Sequence, residues 1–186
     1  MSEDWETGIP WIPSPLKAIA MTLALADVDS NDSLVDVGCG DGRVGIIASK
    51  YLGARSTCIE KREDLCVLAE ANAEYNKVSS LYRVKCMDAM DEDYREYSVV
   101  YLYMFRSFNS AISVKLDKEL RKGARVVTLD FPIPAWAPVL YRRIVDEGGV
   151  LRTVYLYVIG VSNPSSWRIR RFEGYPKKHV WDNTKR

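Results

Sequence analysis

Glutamine is missing from this chain of 186 residues, and histidine occurs once, at His179. The four cysteines, Cys39, Cys58, Cys66 and Cys86, form no C-x-x-C pair. These shortages exclude the usual spacings of a zinc site, and no metal is expected. The cysteines read as small buried thiols. The lack of glutamine fits a thermophile's avoidance of labile side chains, and in a hyperthermophile an internal disulfide stays open. No apolar run approaches the ~18 residues of a membrane span. The start, Met1-Ser2-Glu3-Asp4-Trp5-Glu6, is acidic and has no signal-peptide pattern. A cytoplasmic protein without membrane association is therefore expected. A formal net charge of +1 excludes a strong overall field. With 47% hydrophobic and 27% charged residues, the chain has the make-up of one soluble domain with tails.

What is present concentrates in Leu34-Val35-Asp36-Val37-Gly38-Cys39-Gly40-Asp41-Gly42-Arg43. A short apolar run ends in an acid, three glycines alternate, and a helix-like segment opens. Such a corner presents flexible backbone and unpaired N–H groups to a ligand. A dinucleotide site wants G-x-G-x-x-G around a pyrophosphate. Here the spacing is tighter, and Asp36 and Asp41 repel phosphate. They suit a cofactor with a cationic amino-acid tail, and S-adenosyl-L-methionine carries both an ammonium and a sulfonium. Glu60 ends a second strand-like run, Ser56–Glu60, where a carboxylate accepts from ribose hydroxyls. Asp88 follows a third run, Leu81–Met87, placed to accept from an adenine amino group. The plainer alternatives are a solvated strand end for Glu60 and a helix cap for Asp88.

Strand-like and helix-like segments alternate. Helices are expected at residues 14–27, capped by Ser14 with Pro15 in the first turn, at 42–52, at 63–76, and through 111–120 with Gly123 ending the last. Strands are expected at 34–37, 56–60, 81–86, 98–103 and 125–129. Two final apolar segments, 139–145 and 150–161, flank the turn Glu147-Gly148-Gly149 and read as an antiparallel hairpin. The fold class is α/β, Rossmann-like: a seven-stranded, mostly parallel sheet with an antiparallel C-terminal hairpin and helices on both faces. Ligands bind such sheets at the carboxyl ends of the strands, where Asp36, Glu60, Asp88, the Tyr101–Phe105 run and Asp130 gather. Three regions are expected: a lid segment (1–15), a main domain (16–161) and a basic, aromatic tail (162–186). The tail carries Arg168, Arg170, Arg171, Lys177 and Lys178 among Trp167, Phe172, Tyr175 and Trp181. That mixture suits either nucleic-acid contact or a strap packed on the domain.

With these residues in place, the chain resembles the seven-stranded S-adenosylmethionine-dependent methyltransferases. Within them it is most similar to the small archaeal protein-lysine methyltransferases, relatives of the non-SET histone-lysine methyltransferases. Four stretches carry the resemblance: Pro10–Pro15, Asp36–Arg43, Leu116–Val127 and Thr153–Gly160. The resemblance implies methyl transfer to exposed lysines of protein partners, with broad specificity. The implied cofactor contacts are Asp36, Gly38, Cys39, Gly40, Asp41, Gly42, Glu60, Lys61, Asp88, Ala89 and Tyr103, with Trp11 and Pro13 from the lid. It also places an acid at Asp130, to hold the incoming amine or carry its proton away; a capping role is the alternative. A lysine channel should be aromatic, and Tyr101, Tyr103, Phe105, Phe108, Phe131 and Trp136 are the candidates, core packing being the alternative for each. The segment Tyr103–Asn109 and the tail depart from the family pattern. Two other substrate classes stay open: nucleic acid, though no Asn-Pro-Pro-Tyr, Asp-Pro-Pro-Tyr or Pro-Cys motif occurs, and small molecules, though little chain is left to enclose one. A non-catalytic binding module is the remaining alternative. The number of copies in the assembly is not legible.

Overall fold

The computed structural model describes residues 11–167. Expectations placed on residues 1–10 and on the tail from 168 onward lie outside the described residues.

The chain runs α1 (Leu16–Leu25), β1 (Ser33–Val37), α2 (Arg43–Leu52), β2 (Arg55–Glu60), α3 (Glu63–Tyr75), β3 (Tyr82–Cys86), β4 (Val99–Leu102), α4 (Arg106–Glu119), β5 (Arg125–Leu129), β6 (Leu140–Val145) and β7 (Leu151–Val158). Short 3-10 turns occupy Tyr94–Glu96 and Pro164–Trp167. The seven strands form one sheet in the order β3-β2-β1-β4-β5-β7-β6. β1 to β5 are parallel to their neighbours, and β7 runs antiparallel between β5 and β6. The strand order reverses direction at β1 and β4, the point where open α/β sheets bind ligands.

Side-chain alternation sends each central strand's residues to two cores. Leu34, Tyr101, Val127, Leu129 and Val154 pack with Ala18, Ile19 and Leu23 of α1 and with Val44 and Ala48 of α2. Val35, Val37, Val100, Leu102 and Val126 pack with Ile112 and Leu116 of α4 and with Tyr94 and Tyr97. Each fully buried aliphatic side chain of these sets contributes roughly 1.5–3 kcal/mol. α3 completes a third cluster with β2 and β3 through Ala69 and Ala73.

Four local expectations are corrected. Pro15, in extended backbone, is the N-cap of α1; the Ser14 side chain caps nothing and its Oγ accepts from the Tyr101 hydroxyl at 2.9 Å. The first-turn N–H groups of α1 are instead met from across the fold, Leu16 at 2.6 Å and Lys17 at 3.2 Å from the Glu147 carboxylate. α4 begins at Arg106, five residues before the expected segment, because buried Asn109, Ile112, Ser113 and Leu116 share one helical face. Asn109 Nδ2 also donates to the Phe131 carbonyl at 2.8 Å, fixing the first turn. Gly123, at φ 86°, lies in the turn before β5, after α4 has already ended at Glu119 with Leu120 extended. The cysteines are not free thiols: Cys39 pairs with Cys58 and Cys66 with Cys86, their Cα atoms 5.4 and 5.8 Å apart.

Past β7, Ser162 and Asn163 remain buried. The Asn163 and Ser165 side chains bond Asp117 of α4, so the chain stays on the domain to at least residue 165. No described helix is long and apolar enough to cross a membrane. Among the described residues, no group of three or more acidic, cysteine or histidine side chains is arranged to hold a metal ion.

Candidate active site

The loop between β1 and α2 turns on Gly38, Gly40 and Gly42, at φ 70°, 57° and 80°. An L side chain is strained in that left-handed region. Neighbours close in as well. A Cβ at Gly38 would meet Met104 Sδ at 2.7 Å, one at Gly40 would strike the Trp11 indole, and one at Gly42 the Tyr82 hydroxyl. Glycine is thus required for conformation and for space. Beneath the loop, Cys39 is bonded to Cys58 of β2.

Glu60 ends β2 and is only 8% exposed. Its Oε2 accepts from the Gly40 N–H at 3.0 Å, and its Oε1 from the N–H groups of Lys61 at 2.9 Å and Arg62 at 3.0 Å. Three backbone donors fix the carboxylate, which retains lone pairs toward the cleft. Asp36, next to the last residue of β1, is 3% exposed and its Oδ2 has no hydrogen-bond partner. Burial first, then the charges of Glu60 and Asp41, push its pKa well above the ordinary carboxylate range. A buried acid left in this condition fits a ligand that brings positive charge to it.

Asp41 is otherwise engaged. Arg43 grips both its oxygens, with an Nη2–Oδ2 distance of 2.6 Å, and reaches the Ser14 carbonyl with Nη1 at 3.3 Å. Asp41 therefore orders the loop and the entering chain through its ion pair with Arg43. Asp88 lies at the open end of β3, accepts from the Met90 N–H at 2.9 Å and faces Lys61 Nζ at 3.5 Å. The Ala89 carbonyl accepts from the Tyr94 hydroxyl at 2.9 Å.

These groups line a single cleft of about 1080 Å³ along the strand ends. Trp11, Ile12, Pro13 and Ser14 line it ahead of α1. Tyr103, Phe105, Phe108 and Phe131 give it an aromatic lining. The Tyr103 and Phe131 rings stack with centroids 6.4 Å apart, and Phe105 meets Phe131 at 5.6 Å. Tyr101 also touches the cleft but is 1% exposed and tied to Ser14. Gly40 and Gly42 lie behind the lining. Trp136 does not line the cleft: it is buried against Tyr157 in an edge-to-face pair, in the core on α4's side. Asp130 does not reach the lining either. It stands at φ 60° just past β5, exchanges hydrogen bonds with the Thr153 backbone (2.7 and 2.9 Å), and pairs with Arg152 at 2.8 Å.

Arg43, Met104 and Arg152 were not anticipated from sequence. Arg43 had a signal, a cation two residues after the loop acid. Arg152 had a stronger one: it falls on the same side of β7 as buried Val154 and Leu156, where an apolar residue is the rule. Met104 had none, since its role comes from the approach of β4's end to Gly38.

Comparison with known proteins agrees with this geometry. The model of the ANTKMT methyltransferase domain matches residues 36–140. A protein-lysine N-methyltransferase of Saccharolobus islandicus (strain REY15A) is 35% identical over 153 residues, covering 82% of this chain and 94% of that protein. The adenine nucleotide translocase lysine N-methyltransferase of Mus musculus is 28% identical over 158 residues, covering 84% of this chain and 66% of that protein. In structure, an RNA methyltransferase from Salinibacter ruber in complex with S-adenosyl-L-homocysteine is 38% identical with a TM-score of 0.74, covering 80% and 94% of the two chains. With a glycine loop, a carboxylate set and a seven-stranded sheet of this order, the chain belongs to the ANTKMT methyltransferase domain family.

Proposed function

We propose that this chain transfers methyl groups from S-adenosyl-L-methionine to lysine side chains of proteins. The observation that carries this is the unpaired oxygen of Asp36, a residue that lines the same cleft as Tyr103, Phe105, Phe108 and Phe131. The lysine N-methyltransferases among its relatives support the substrate class.

Asp36 and Glu60 hold the cationic and ribose parts of the cofactor, and Asp88 with Lys61 and Ala89 the adenine side. Trp11 and Pro13 cover it from the lid, a role in keeping with the stiffness of the prolines. When bound, S-adenosylmethionine supplies a methyl group already activated on a sulfonium. The protein's task is then alignment of the amine, methyl and sulfur, which is proximity catalysis. Tyr103, Phe105 and Phe131 exclude water from an entering lysine stem and, with the nearby positive charge, disfavour the ammonium form. Asp130 lies outside the cleft lining, and its carboxylate pairs with Arg152 and the Thr153 N–H, so no proton transfer is assigned to Asp130. It belongs to the frame of the aromatic wall.

A second reading, methyl transfer to RNA, is favoured by the likeness to the Salinibacter ruber enzyme. The segment after β4, Tyr103-Met104-Phe105-Arg106, contains no Asn-Pro-Pro-Tyr motif. Incubation with labelled cofactor and a lysine-rich protein, native or with its lysines acetylated, separates the readings. Label is expected in the native protein alone; label in added RNA and in neither protein would select the second reading.

A further inference from the structure

Arg152 is a nearly buried cation outside the cleft lining, with a side chain 19% exposed. Its guanidinium has three acceptors on three elements. Nη1 donates to Asp130 Oδ2 at 2.8 Å and to the Tyr103 hydroxyl oxygen at 3.1 Å, and Nε donates to Asp146 Oδ2 at 2.8 Å. Tyr103 follows β4, Asp130 follows β5, and Asp146 opens the β6–β7 turn. The adjacent residue of that turn, Glu147, holds the first N–H groups of α1, directly after the lid segment. One side chain thus links Tyr103 of the cleft lining to the turn that holds the start of α1, directly after the lid segment.

We propose that Arg152 is a positioning residue for methyl transfer, holding the Tyr103 ring and the Asp130 turn so that the lysine entrance keeps its width and direction. The proposal rests on the lysine-methyltransferase reading above. A flat guanidinium suits this task because its N–H groups point in fixed directions and can bridge several acceptors at once. A lysine keeps the charge but cannot reproduce that fork. The arrangement also leaves a sign. Arg152 faces two carboxylates, Asp130 and Asp146, so this trio carries a formal net charge of one negative. Tyr103 accepts from Arg152 through its oxygen, so the ring is held at its hydroxyl end while its face stacks on Phe131. Asp130 takes a left-handed backbone conformation that its neighbours hold in place.

The test uses the full chain with Arg152→Met, Arg152→Lys, Tyr103→Phe and the double variant Arg152→Met/Tyr103→Phe. Cofactor affinity is measured by calorimetry, and kcat and KM with a lysine-bearing protein. Misplacement of about an ångström costs on the order of a hundredfold in rate. Arg152→Met is accordingly expected to lose about ten- to a hundredfold in kcat/KM. Cofactor affinity falls less than kcat/KM does, since Arg152 itself lies outside the cleft lining. Arg152→Lys recovers part of the loss. Tyr103→Phe costs activity alone but adds little to Arg152→Met, because both break the same link. Wild-type kcat/KM in Arg152→Met, or losses that simply add in the double variant, would overturn the positioning role. If Arg152→Met does not fold, Tyr103→Phe decides: unchanged kcat/KM there also overturns it. A wild-type enzyme that methylates no lysine refutes the functional reading instead, and the two failures are distinct.

Discussion

The Gly40 N–H donates to Glu60 Oε2 at 3.0 Å, joining the glycine loop after β1 to the acid that ends β2. The same carboxylate holds the N–H groups of Lys61 and Arg62. Glu60 is therefore a keystone of the loop itself as well as the proposed ligand for ribose. Glu60→Ala leaves three backbone donors without their partner. A buried unsatisfied group costs about 1–3 kcal/mol. The variant is expected to melt several degrees lower in the absence of cofactor and to show no measurable S-adenosylmethionine binding. Thermal unfolding and calorimetry check the two effects separately; a variant that binds normally would remove Glu60 from the site.

The proposed role of Asp36 predicts a cofactor affinity that depends on pH. Its carboxyl is raised by burial and by the charges of Glu60 and Asp41. A group raised in the folded state favours folding below its unfolded pKa of about 3.9, and that contribution is lost as pH rises through the folded value. The cofactor-free protein therefore loses stability across that interval, and Asp36→Asn removes the loss. A cation bound beside Asp36 favours the charged form, so binding below the raised pKa releases a proton and tightens as pH rises toward it. Calorimetry in buffers of different ionisation enthalpy measures that proton. Asp36→Asn should bind at least about tenfold more weakly, without proton release. Proton-neutral binding by the wild type would contradict the assignment.

The two disulfides bracket the same corner, one under the glycine loop and one joining α3 to the end of β3. They close loops of sequence separation 19 and 20. Each contributes about 3 kcal/mol in the chain-entropy account. Reduction is expected to lower the melting temperature strongly, and intact mass without reductant should be about 4 Da below the reduced value. Masses that do not change on reduction would contradict the pairing.

Ser14 and Tyr101 anchor the proposed lid through a hydroxyl pair at 2.9 Å, 1% exposed at Tyr101. Tyr101→Phe removes that anchor and little else, a net cost of about 0.5–1.5 kcal/mol for a neutral hydrogen bond. Cofactor affinity should fall several-fold, mainly through faster release. Stopped-flow dissociation of the cofactor measures this, and an unchanged off-rate would detach the lid from cofactor retention.

The sheet, its parallel core and its terminal hairpin were legible because the apolar runs at 34–37, 98–103 and 125–129 sit between glycine turns and amphipathic segments. The acids at the strand ends were legible as a set because parallel strands bring their carboxyl ends to one edge. What those acids touch was not. Asp41 reads as a ligand for positive charge, yet Arg43 satisfies it within the loop. Asp130 reads as an acid that holds the incoming amine or carries its proton away, yet it lies outside the cleft lining and pairs with Arg152 from β7. That second pairing depends on register: antiparallel β7 places Val154 opposite Leu129, which brings Arg152 beside the chain leaving β5. Trp136 reads as a channel aromatic because it follows β5 closely. The turn at Ile133–Trp136 instead folds it inward against Tyr157. The cysteines carry no spacing signal, since their pairing arises from neighbouring strands and helices rather than from one short motif. Ser14 precedes a proline, which takes the cap position and frees the hydroxyl for Tyr101.

The most direct test of the central claim is to locate the transferred methyl. The full chain is incubated with deuterium-labelled S-adenosylmethionine, a mixture of lysine-bearing proteins and total RNA, and each fraction is digested and read by tandem mass spectrometry. Labelled methyl on lysine ε-nitrogens, absent with Asp36→Asn and Glu60→Ala, is the predicted result. Label confined to nucleosides, or none in any fraction while the cofactor binds, would contradict it.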